Sequence, residues 1–189
     1  MMRALLVVLA TVLWSGGLPT AASAQSSGEF VQGQITLPPI TLIDQNARTL
    51  ALQTDLAQGA LLVMTFNYTT CASICPIGND IMAQLDAEVG KIGGRQVRLL
   101  SVTIDPSHDT PALMAEAARD FGASARWFWL TGRPGDIRRL LQTVGAPVHD
   151  LALHDPVFLV GDGDTGRFFR TQSMPDAADL KAMLAAFAT

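Results

Sequence analysis

ALLVMTFNYTTCASICP, residues 60–76, decides how the rest of the chain is read. Its first half is a continuous apolar run behind Gly59, the composition of a strand buried on both faces. Its second half carries the only two cysteines, Cys71 and Cys75, set four apart and followed at once by Pro76. Beyond them Ile77, Ile81, Met82, Leu85 and Val89 follow helical spacing, and Gly90 stops the helix. The stretch therefore predicts a strand, a cysteine-bearing loop and a helix.

The same alternation continues downstream. VRLLSVTI, residues 97–104, is a second buried strand, and DPSHDTP ends it. Thr110 is placed to cap the next helix and Pro111 to open it, with Leu113, Met114, Ala117 and Phe121 inward and Gly122 at its end. Residues 127–130 form a short strand. Residues 136–144 form a helix with Ile137, Leu140, Leu141 and Val144 inward. Residues 157–160 and 168–170 read as a hairpin across GDGDTG, and 175–187 as the last helix. GDGDTG resembles the start of a calcium loop, but Ser173 stands where the bidentate Glu belongs, so a hairpin turn is expected. Upstream, residues 35–50 alternate short apolar runs with turn residues and predict an N-terminal β-hairpin. Strands alternating with helices, then a late hairpin, imply an α/β fold with a central mixed β-sheet flanked by helices. In such sheets active residues collect at the carboxyl ends of parallel strands. The cysteine loop follows one such end and DPSHDTP another.

The 189 residues, 49% of them apolar, suffice for one sizeable core. A net charge of −4 with no basic run argues against a nucleic-acid partner, which needs clustered Lys and Arg to neutralise phosphates. The N-terminus reads as an address rather than as fold. Arg3 precedes the apolar run 4–14, which is too short to span a bilayer; Gly16, Gly17 and Pro19 break it, and Ala22-Ser23-Ala24 is a small-x-small cleavage site. We expect a signal peptide over 1–24 cut after Ala24, a flexible lead over 25–34, one domain over 35–189, and a periplasmic location without a membrane anchor.

Export places the cysteines where thiols oxidise. A disulfide across so short a loop removes little chain entropy, so a purely structural staple is the weaker reading. At a helix N-terminus, free N–H groups and the helix dipole favour thiolate, the reactive and metal-binding form. Spacing alone leaves a Cys71–Cys75 redox pair and a shared metal ion as alternatives. A metal needs a third ligand. The three histidines are His108, His149 and His154. His108 reads as a solvated turn residue. His149 and His154 lie in PVHDLALHDPVFLV, ahead of a buried strand. That strand looks like the one a proline opens, facing the cysteine loop, in thioredoxin-like folds. His154 would then reach the site, and Asp155–Pro156 becomes a candidate cis peptide. Cys71, Cys75 and His154 would form a soft donor set, better suited to Cu(I) than to four-coordinate structural zinc.

Taken together, FNYTTC through Cys75-Pro76, SVTIDPSHDTP and His154 ahead of FLVGDGDTGRF resemble the SCO (SenC) copper proteins, from about Thr36 to the end. The resemblance implies a thioredoxin-like fold and Cys71, Cys75 and His154 as ligands of a copper ion, Cu(I) or Cu(II). Asp105 matches the family's aspartate after the strand; it either satisfies the turn or tunes the site from behind the ligands. The implied function is a metallochaperone for a cytochrome c oxidase subunit or another cuproprotein. The alternative is a thiol–disulfide oxidoreductase acting on a cuproprotein's cysteines through a mixed disulfide, with a thioredoxin-like reductant as a second partner. A peroxidase of the peroxiredoxin type is disfavoured, because Tyr68 stands where such enzymes carry threonine. Ala72-Ser73-Ile74 departs from the polar residue often found between the family's cysteines.

Overall fold

The computed structural model describes residues 30–154 and 156–188. The expected signal peptide, the first half of the expected lead (25–29) and the Asp155–Pro156 bond therefore lie outside the described residues. Among those described, no helix is long and apolar enough to cross a membrane.

One mixed sheet organises the chain. Its strands are β1 (Phe30–Gln34), β2 (Thr41–Asp44), β3 (Thr49–Ala51), β4 (Ala60–Asn67), β5 (Lys91–Ile92), β6 (Arg95–Thr103), β7 (Trp127–Gly132), β8 (Phe158–Asp162) and β9 (Arg167–Thr171). The spatial order is β1-β9-β8-β4-β6-β7-β2-β3, with β5 beside β6. Among the described strands, only β4–β6 and β6–β7 pair in parallel. The helices are α1 (Cys75–Glu88), α2 (Pro111–Asp120), α3 (Pro134–Thr143) and α4 (Ala177–Ala185).

Every residue of β4 is buried, as its unbroken apolar run requires. Because side chains alternate along a strand, Leu61 and Val63 enter one core while Leu62, Met64 and Phe66 enter the other. The first core is filled by Ile81, Met82 and Leu85 of α1, Met114 of α2 and Leu180 and Leu184 of α4. The second takes Ile137, Leu140 and Leu141 of α3, together with Leu52 and Leu56 from a π-helical turn over Leu52–Ala57. The sheet is thus the middle layer of a three-layer sandwich.

Several sequence expectations hold. The expected hairpin of residues 35–50 is the β2–β3 hairpin, which runs one residue further to Ala51, and Thr110 caps α2 by accepting from the Leu113 N–H. GDGDTG is a hairpin turn between β8 and β9. Its Asp162 accepts from the Asp164 N–H at 2.9 Å and pairs with Arg95 at 2.7 Å.

Two expectations are corrected. The lead expected to be flexible contains β1, which pairs antiparallel with β9 from Phe30↔Thr171 to Gln34↔Arg167. The open edge of β9 offers unpaired N–H and C=O groups, and Phe30 packs against the first core. Polar composition masked both effects. Ile77, expected to face inward, is 51% exposed. It stands in the first turn of α1, where Gly78 rather than Ile77 faces the sheet: a Cβ at Gly78 would lie 3.6 Å from the Phe158 ring.

Candidate functional site

The cysteine loop leaves the carboxyl end of β4 and is anchored on three sides. Asn67, the last residue of β4, donates from its side chain to Asn79 of α1 at 2.8 Å, and its carbonyl accepts from the Ile104 N–H at 2.8 Å. Two residues on, the Thr69 N–H meets the Asp109 carboxylate at 3.2 Å, and the Thr69 hydroxyl donates to it as well. Asp109 is only 1% exposed and also accepts from the Thr103 hydroxyl at the end of β6. One buried carboxylate therefore ties the cysteine loop to the neighbouring parallel strand.

The start of α1 is capped by sulfur. Ile74 occupies the N-cap position and has no side chain that can accept, so the Cys75 N–H donates to Cys71 Sγ at 3.4 Å. Ser73 Oγ lies 3.8 Å from the same sulfur. Both cysteines are free thiols and nearly buried, Cys71 at 9% and Cys75 at 6% exposure. Burial pushes against ionisation of Cys71, but donation from the Cys75 thiol and from the Ser73 and Cys75 N–H groups outweighs it and lowers the thiol to about 7. Burial raises the Cys75 thiol, aided by the bond it gives to Cys71, to about 12. Cys71 is thus the thiolate of the pair and Cys75 its buried donor.

His154 arrives from a loop far along the chain, 79 residues from Cys75. Its Nε2 lies 3.9 Å from Cys75 Sγ. Its Nδ1 lies 2.9 Å from the Leu151 carbonyl, which can only accept. Nδ1 must carry the proton, so a neutral ring turns the Nε2 lone pair toward the sulfur. A short 3-10 turn over Leu151–Leu153, capped by Asp150 accepting from the Ala152 N–H, sets this carbonyl in place. Tyr68 packs edge-on against the imidazole, with ring centroids 5.7 Å apart. Loss of solvation, then the nearby Cys71 thiolate, raise the Tyr68 phenol.

The structure thus joins Cys71 to Cys75 and Cys75 to His154. Among the described residues, no three His, Cys, Asp or Glu side chains already stand grouped to hold a metal ion. Asp105 is half-buried. Its carbonyl accepts from the His108 and Asp109 N–H groups, its N–H donates to the Thr103 hydroxyl, and it lines a neighbouring groove with Arg138 and Leu151. His108 is exposed, and His149 is exposed on the rim of that groove. Sequence reasoning missed Asp109, Thr69, Tyr68 and Asn79. The second aspartate of DPSHDTP, preceding the cap residue Thr110, was the one available signal. Ile77 and Leu153, at 51% and 79% exposure, belong to the segments that carry Cys75 and His154.

A cysteine pair at the start of a helix, at the carboxyl end of a central strand, with a histidine brought in from the loop before an antiparallel strand, defines a thioredoxin-like thiol protein. The SCO1/SenC family model matches residues 31–155, and the chain belongs to that family. A putative copper-binding protein of Stutzerimonas stutzeri is 28% identical over 111 residues, 59% of this chain and 52% of the relative. The chain thus spans about half the length of that relative. The structure of Arabidopsis thaliana ScoI with copper bound superposes with a TM-score of 0.62 at 21% identity, covering 79% of this chain and 95% of that one. BsSco, a Sco family member of the cytochrome c oxidase assembly proteins with a disulfide switch, gives 0.66 at 22% identity, covering 80% and 94%. At these identities the two superpositions establish the fold.

Proposed function

We propose that this chain is an exported copper-binding protein that holds a copper ion with Cys71, Cys75 and His154 and passes it to a cuproprotein, with the copper centre of cytochrome c oxidase as the receiving site. The observation that carries this reading is the approach of His154 Nε2 to Cys75 Sγ while Leu151 fixes the other ring nitrogen. A carbonyl behind a ligating imidazole is the usual support of a metal-bound histidine. The separation also fits. Metal–sulfur and metal–nitrogen distances of about 2.3 and 2.0–2.1 Å leave the two donors roughly 3.5–3.8 Å apart across one ion, against 3.9 Å here. Cys71 completes the set once its sulfur exchanges the Cys75 N–H for the ion. Two thiolates and an imidazole are soft donors that favour Cu(I). The copper-binding relative and the copper-bound ScoI structure support the same cargo. Export through residues 1–24, cut after Ala24, places the site in the periplasm. There the exposed Ile77 and Leu153 leave the site's flanks open to a receiving protein.

A thiol–disulfide oxidoreductase is the second reading, favoured by one specific asymmetry. A Cys71 thiol near 7 beside a Cys75 thiol near 12 pairs an attacking thiolate with a protonated resolving thiol. In that reaction the Cys71 thiolate attacks a partner disulfide and expels one partner thiolate. Cys75 then releases the second, leaving Cys71–Cys75 oxidised and the partner reduced.

His154→Ala separates the two. Copper delivery requires Cu(I) affinity, read by competition with a chromophoric chelator, to fall at least ~10–100-fold, the range for losing even outer support of a metal ligand. Reduction of a model disulfide by the variant should stay close to wild type. Unchanged Cu(I) affinity removes His154 from the ligand set and, with it, the copper reading in this form.

A further inference from the structure

Arg170, on β9, has a half-buried side chain whose Nε is enclosed and, among the described residues, meets no hydrogen-bond acceptor. Among the described residues no carboxylate pairs with its guanidinium. Arg95, by contrast, lies 2.7 Å from Asp162 and 2.9 Å from Asp164. Arg170 lines a pocket of about 170 Å³ with Phe66, Pro147, Val148, His154 and Val157. Its Nε faces Gly145 on the same wall, where an added Cβ would lie 3.8 Å away. No acidic side chain among the described residues lines the pocket.

These features specify a ligand. A buried N–H without an acceptor is destabilising and is normally satisfied. A neutral acceptor satisfies the N–H but leaves the positive charge uncompensated. An oxyanion does both. The edge of a guanidinium presents parallel donors that match the two oxygens of a carboxylate. The apolar walls of Phe66, Val148 and Val157 strengthen such a contact by excluding water from it. We propose that this pocket binds a carboxylate group, received by Arg170 immediately beside His154. The carboxylate comes either from an Asp or Glu side chain of a docking protein or from a free small acid. The inference does not depend on copper, because Arg170, Gly145 and the apolar walls create it without the cysteines.

The test is an NMR titration of the reduced, metal-free full-length protein that follows the Arg170 Nε–H and Gly145 N–H resonances. Sodium acetate is added at constant ionic strength, balanced with chloride. We expect both resonances to move saturably with acetate and not with chloride. Arg170→Gln should weaken acetate binding about tenfold or more, the loss of a charge-assisted hydrogen bond. Arg170→Lys, which keeps the charge but not the fork, should weaken it too, should the Gln variant not fold. The peptide Ac-Gly-Glu-Gly-NH2 distinguishes the sources, with its Gln counterpart as control. A saturable shift with the Glu peptide assigns the pocket to a partner's side chain, and a shift with acetate alone assigns it to free small acids. The absence of a saturable shift with either probe, or an equal shift with chloride or the Gln peptide, overturns the proposal. No metal enters this titration, so its failure is distinct from a failure of the copper reading.

Discussion

Replacing Asp109 tests whether the cysteine loop is held by one buried carboxylate. Three donors converge on it: the Thr69 N–H, the Thr69 hydroxyl and the Thr103 hydroxyl. In Asp109→Ala the two hydroxyls can rotate to other acceptors, but the backbone N–H of Thr69 cannot. One orphaned buried donor costs about 1–3 kcal/mol, and the lost charge-assisted bonds add about 1 more, for roughly 2–4 kcal/mol. With a urea m-value of about 2 kcal/mol per molar, the unfolding midpoint should fall by about 1–2 M. Native domains have about 5–15 kcal/mol in hand, so the variant should still fold. Asp109→Asn keeps the shape and one acceptor and should lose about half as much. The same variants should affect chemistry at a distance. Loosening Thr69 frees the loop that lets the Cys75 N–H reach Cys71 Sγ, so the Cys71 thiol should ionise at higher pH than in the parent. The assay pairs urea unfolding with the pH profile of iodoacetamide alkylation. A midpoint within about 0.3 M of the parent, together with an unchanged alkylation profile, would refute the reasoning.

Two further outcomes follow from the charges. In the metal-free reduced protein, alkylation should inflect near pH 7 at Cys71 while Cys75 stays unreactive, read by mass spectrometry of the labelled peptides. Because the folded Cys71 value lies below the ordinary thiol value of 9.0, its contribution to stability is present above that value and is lost as pH falls through about 7. Arg95 pairs with Asp162 at 2.7 Å and Asp164 at 2.9 Å, and holds the Asp162 carboxyl well below the usual carboxylate range. Arg95→Ala should therefore lower stability at neutral pH. The gap between parent and variant should shrink as pH falls below the ordinary Asp value of 3.8, when the unfolded carboxylate takes up its proton. A gap in denaturant midpoint that stays constant from pH 7 to pH 3 would contradict this.

Local pattern by itself determined the architecture. The unbroken apolar run of β4 required a strand buried on both faces, and the apolar periods of α1 and α3 required helices packed on it. Thr110-Pro111 and GDGDTG marked a helix start and a turn, and the cysteine pair marked the loop. Each of these signals lies within a few residues along the chain, where backbone geometry and side-chain period act directly. The motif resemblance likewise placed His154 near the cysteines before any coordinates. Tertiary structure alone decided which groups do the holding. Asp109 meets Thr69 across 40 residues, and His154 meets Cys75 across 79. Leu151 selects the tautomer that turns Nε2 to the sulfur, Ile77 is left outside because Gly78 takes the inward position, and Phe30 draws a polar lead into a strand. Arg170 was silent in the sequence, because an arginine on a strand is ordinary until folding encloses its Nε away from the acceptors of the described residues. The physical reason is the same in each case: these contacts are set by how distant elements pack, and no periodicity along the chain encodes a meeting of that kind.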